Sequence, residues 1–163
     1  MTNRLGVELN LKSMFLPRNN HWFRRAILVF VFILFDYVST LVFCRAPHEE
    51  ANLYARMFME NLGIFSGLTL FVLVFNLPIY VTLSLDSHIV RLPAKIASFF
   101  ELGVDLVFAW FVAGSHFNGG ASWFWPMPEL TRQAIGALLY FTIAFLLVKP
   151  HRPRYENKRL TGA

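Results

Sequence analysis

Three carboxylates stand inside long apolar runs of this chain: Asp36, Glu101 and Asp105. An acid at the centre of a bilayer costs at least about 2.5–3.5 kcal/mol on insertion scales, so such groups must face the protein interior, share protons or bind a cation. Asp36 is followed at i+3 and i+4 by Ser39 and Thr40, which share its helical face. Glu101 and Asp105 are four apart, and Ser98, Ala109 and Ala113 extend their face as a small, polar stripe. Counted inward from the ends of their runs, Asp36 and Asp105 reach nearly the same depth, and Asn76 on the intervening run lands close to it. The expectation is one polar layer formed by Asp36, Ser39, Thr40, Asn76, Glu101 and Asp105, with no Lys or Arg inside a run to neutralise it. That layer suits a proton or cation site. It suits equally a hydrogen-bonded clamp between helices.

The elements that must position these groups follow from composition. Of 163 residues, 56% are hydrophobic and only 15% charged, against about a quarter charged in soluble domains. Too little polar surface remains to cover a water-exposed globule. Four stretches have the roughly 20 mainly apolar residues that cross a bilayer as a helix: about 26–44, 63–85, 94–117 and 130–148. The expected fold is all-α, a single integral membrane four-helix bundle, with polar tails at 1–21 and 150–163.

Orientation comes from the basic residues. Twelve of the 15 Lys and Arg fall in the tails, at span starts or in the 86–95 loop, leaving Arg45, Arg56 and Arg132 on the other side. Positive residues stay inside, so both termini are expected to be cytoplasmic and the protein to sit in the cytoplasmic membrane. A nucleic-acid partner is excluded, because the basic blocks flank apolar spans instead of interleaving with stacking aromatics. The first apolar run holds Asp36 and lacks a small-x-small cleavage site, so it is expected to be retained as a helix. Cys44, the single cysteine, leaves no internal disulfide.

On the outer side, His48 to Asn61 places Leu53, Tyr54, Met57 and Phe58 at helical spacing, predicting a short amphipathic helix on the membrane surface with an Arg56–Glu60 pair. Asn118-Gly119-Gly120 predicts a flexible turn, and Trp123-Phe124-Trp125-Pro126 an aromatic anchor at headgroup depth. On the second span, Gly63 and Gly67 form a small-xxx-small pair opposite Asn76 and Tyr80. If Asn76 turns inward, the glycine face is left for a partner helix, from a second copy or another membrane protein. Pro78 removes the hydrogen bond to the Val74 carbonyl and predicts a kink near Asn76.

Other chemistry is thin. His21, His48, His88, His116 and His151 all fall at span ends or outside, so no mid-membrane haem pair is present and no metal site is assigned. His48, Glu49, Glu50 and His116 are the only outer groups that would serve a metal or a lipid-directed enzyme. No Ser-His-Asp set, phosphate loop or nucleotide fingerprint occurs, and no cofactor is implied.

Asp36-Tyr37-Val38-Ser39-Thr40, followed by Glu50-Ala51-Asn52 and Arg56, resembles a family of small prokaryotic membrane proteins of unknown function. Their pattern has Asp-x-x-Ser-Thr in the first helix and Glu-x-Asn-Pro after it; Leu53 stands here in place of that proline. The resemblance covers about a quarter of the chain and implies a compact helical bundle in a prokaryotic membrane, with no activity attached. Two functions fit the residues. One is a non-catalytic accessory or structural subunit of a larger membrane complex. The alternative is a small proton- or cation-handling transporter using Asp36, Glu101 and Asp105.

Overall fold

A computed structural model describes residues 20–89 and 103–147. Helix α1 is Asn20–Phe43 and a 3-10 turn follows at Pro47–Glu49. Helix α2 is Leu53–Leu62, α3 is Ile64–Ile89, α4 covers 103–122, and α5 is Glu129–Leu147. Among the described residues the chain is a helical bundle without strands, in keeping with its all-α patterning. Two helices there are long and apolar enough to cross a membrane: Phe23–Phe43 and Ile64–Val81. Polar residues lower the apolarity of the other two, Asp105, His116 and Asn118 on α4 and Glu129, Arg132 and Gln133 on α5. Glu101, the 90–102 segment and both expected tails lie outside the described residues, apart from the first turn of α1.

Cross-helix contacts set the directions. Arg25 meets Asp105 and Asp36 meets His116, so α1 and α4 run parallel. Tyr37 meets Thr69 and Phe30 meets Tyr80, so α3 runs antiparallel to α1. Gly136 lies against Gly114 and Phe117, and Asn118 reaches Glu129, so α5 runs antiparallel to α4. The central core is built by α1, α4 and α5. Val29, Phe32 and Ile33 interlock there with Ala109, Val112, Ala113, Ala137 and Tyr140. The alanines let the backbones approach, and the aromatic rings fill the space between them.

Helix α2 departs from the surface helix expected of it. Asn52 caps its start by accepting from the Tyr54 and Ala55 N–H groups. Its end is Gly63, whose φ of +82° lies in the region that favours glycine. The chain reverses there, and α2 lies lengthwise along α3: Phe58 meets Phe71 edge-on, and Tyr54 packs at a tilt against Phe75. A Cβ on Gly67 would collide with the Phe58 carbonyl oxygen. Gly67, expected to await a partner helix, is therefore covered by the chain's own α2, and Gly63 makes the turn between the two helices. Arg56 also turns away from the predicted Glu60 pairing and grips the Glu50 carbonyl through Nε and Nη2 (3.1 and 2.6 Å).

The expected turn at Gly119-Gly120 is helix. These glycines sit inside α4, where a Cβ would fall 2.7 Å from Asp36 Oδ1 and 2.7 Å from Phe35 Cε1 respectively. Close approach to α1 explains them, not turn chemistry. Within α4, Phe108–Gly114 widens into a π-helical segment, and Gln133 of α5 donates to the Trp110 carbonyl there at 3.2 Å.

Candidate functional site: the polar ties between α1 and α4

Because α1 begins at Asn20, Arg25 belongs to the helix instead of preceding it, and its long side chain turns inward. Its Nη2 donates to Asp105 Oδ2 at 2.8 Å, with only 10% of the Arg25 side chain and 21% of Asp105 exposed. Tyr140, fully buried, stands near enough to feel both charges. Three turns further along both helices, Asp36 Oδ2 meets His116 Nδ1 at 2.8 Å. Eleven residues separate Arg25 from Asp36, about 16 Å along a helix. Asp36 and Asp105 are therefore not in one layer. Each carboxylate has a basic partner on the facing helix, and the two pairs brace α1 against α4 at separate levels. The depth count failed because it measured from assumed span ends and gave Arg25 no reach.

A third tie completes the seam. Trp123 Nε1 donates to Thr40 Oγ1 at 3.1 Å, while its ring packs beside Tyr37 and Leu41 over buried Cys44, Ala55 and Met59. Trp123 is thus docked into the bundle. The connection after it is held by Arg132, whose Nε donates to Asn118 Oδ1 at 2.8 Å and whose Nη1 reaches the Trp125 carbonyl at 3.0 Å and the Met127 carbonyl.

The 45–52 connection brings a further carboxyl to the Asp36 end of the seam. Glu50 is half-buried; its carboxyl lies above the usual range, first through burial and then through the neighbouring Asp36 charge, opposed by the Asn52 N–H it accepts. Glu49, by contrast, is exposed and accepts from the Arg45 and Ala46 N–H groups, which holds its carboxyl low, the Arg45 bond first. The outer grouping of His48, Glu49, Glu50 and His116 is thus divided among different tasks. Among the described residues no three metal-type side chains converge.

The remaining expected site residues lie apart. Ser39 and Thr40 are buried near the Asp36 end of α1. Asn76 is buried on α3, away from the α1–α4 seam, and donates to the Val72 carbonyl of its own helix at 2.9 Å. His116 and Arg25 were the missed partners. A basic residue one side-chain length outside an apolar run, and a histidine eleven residues beyond Asp105, were the available signals.

No protein-family model, curated protein or solved structure matches the chain, so the site stands on its own geometry.

Proposed function

We propose that the chain is a multi-pass protein of the cytoplasmic membrane, crossing four times with both termini cytoplasmic, and that it serves as a non-catalytic accessory or structural subunit. The observation that carries this reading is the pairing of Asp105 with Arg25 and of Asp36 with His116. Carboxylates spent on bracing two helices are fixed parts of a scaffold, and a scaffold is what a partner assembly needs. The alternating helix directions support four crossings. Large apolar side chains face outward on α1, α3 and α5, with Phe65 67%, Phe145 77% and Leu146 68% exposed, a surface suited to lipid or neighbouring membrane helices. Purification in mild detergent from the native membrane tests it: a defined set of co-migrating proteins is expected, and a chain that always migrates alone contradicts it.

A second reading is favoured by one specific arrangement. At the Asp36 end a histidine and a carboxylate share a hydrogen bond, both partly accessible. Such a pair suits a proton-handling protein. In proteoliposomes with an entrapped pH dye, that reading requires a proton flux abolished by Asp36→Asn. Equal flux with and without the substitution removes it.

A further inference from the structure

On the other side of α1 the packing is incomplete. Between α1 and α3 lies a cleft of about 470 Å³, within the roughly 300–1,000 Å³ of small-molecule sites. Leu34, Leu73 and Leu77 form its outward rim, at 57%, 65% and 59% exposed. It extends from Thr69 to Tyr80, about 16 Å along α3. Its walls are almost wholly apolar. At one end Tyr37 donates to Thr69 Oγ1, which itself donates to the Phe65 carbonyl, so that pair is satisfied internally.

Asn76 is different. It lines the cleft, is 7% exposed, and its Nδ2 is committed to the Val72 carbonyl. A carbonyl only accepts, so this bond fixes the amide with its Oδ1 turned the other way, where no described group donates to it. An amide acceptor facing an apolar cleft without a donor is left unsatisfied, and a donor arriving with a ligand satisfies it. A transmembrane helix, about 10 Å across with its side chains, is too thick to enter the cleft and reach a side chain that is 7% exposed. A slender chain is not.

We infer that the α1–α3 cleft binds an elongated lipid-soluble molecule bearing a hydroxyl, an isoprenoid or fatty alcohol, whose hydroxyl donates to Asn76 Oδ1. The hydrocarbon lies along Phe30, Ile33 and Val72, and the rim leucines open the site sideways to the bilayer. This rests on the membrane placement proposed above, which alkaline-carbonate extraction reads by itself; failure of that placement is thereby distinguishable from failure of the site.

The test uses the full chain in lipid nanodiscs with two diazirine-tagged probes, a C20 isoprenoid alcohol and its methyl ether, which lacks the donor. The alcohol should label Leu34, Leu73 or Leu77, and the ether about tenfold less. Asn76→Leu should bring the alcohol down to the ether's level, and Leu73→Trp, which fills the cleft, should lower both. The comparison of the two probes needs no variant, so it stands even if a substitution impairs folding. Equal labelling by alcohol and ether overturns the inference, as does labelling confined to other helices. A benzoylphenylalanine at position 77 that captures peptide of a second copy or another protein also overturns it, by assigning the cleft to a helix.

Discussion

The two flanks of α1 are built in opposite ways. Toward α4 it is tied three times, by Arg25–Asp105, Asp36–His116 and Thr40–Trp123, and Gly119 and Gly120 let the backbones close in. Toward α3 the described residues show one polar tie, Tyr37–Thr69, beside a cleft open at the rim. In hydrocarbon the burial of apolar surface gives little preference for one helix neighbour over another, so close packing and polar pairing must supply it. The α1–α4 seam has both. Along the cleft, the described residues of the α1–α3 seam offer little of either, and α3 is also packed by α2 folded along it. The difference assigns rigidity to one side of α1 and accessibility to the other.

The largest expected effect lies on the tied side. Asp105→Leu removes the carboxylate to which Arg25 Nη2 donates and should cost about 3–5 kcal/mol of stability, read by denaturation in mixed micelles. Next comes Gly120→Leu, which drives a side chain into Phe35 and the Asp36 backbone. A loss of about 1–3 kcal/mol or more is expected, whereas Leu73→Trp on the open side should cost less than about 0.5 kcal/mol. A reversal of that ranking breaks the comparison. Gly67→Leu should likewise destabilise the monomer itself, because it strikes the Phe58 carbonyl of α2. Unchanged stability with a lost partner would restore the intermolecular role first expected of it.

These sites also mark how far the sequence could be read. The helices were legible because long apolar runs bounded by charge, glycine or proline have few other solutions. The seams were not. Gly119-Gly120 before an aromatic and proline run has the composition of a turn, and only the proximity of Phe35 and Asp36 shows why glycine is needed inside a helix. Arg25 was counted outside a span because hydropathy measures where a Cα lies, not where six further atoms of side chain reach. The π segment at 108–114 has no proline or other local signature. The role of Gly67 depends on α2 folding back at Gly63, which is a tertiary event. The Glu50-x-Asn52 pair did carry local information, since Asn52 caps α2 and Glu50 orders the turn before it.

Smaller effects sharpen the contrast. Tyr37→Phe removes the Tyr37–Thr69 tie between α1 and α3 and should cost about 0.5–1.5 kcal/mol, with no change at the α1–α4 seam. Glu50 supplies a pH test. Its carboxyl lies above the reference of 4.5 because burial penalises the charge, so the folded state binds its proton more tightly than the unfolded one. Its contribution to stability is full below the reference value and declines as pH rises through the raised one. Glu50→Gln, which keeps an acceptor for the Asn52 N–H, should match the parent protein in acid and exceed it toward neutral pH in thermal melts. A constant difference at every pH would mean that burial of the charge is not the cause.

The central claim, that paired charges are internal braces between α1 and α4, is tested most directly by a double-mutant cycle on Arg25 and Asp105. Unfolding free energies would be measured for Arg25→Met, Asp105→Leu and the combined variant. Each single change should be severe, and the combination should recover much of the loss, because the two charges of the pair are then removed together. A combined loss equal to the sum of the two single losses would contradict the account.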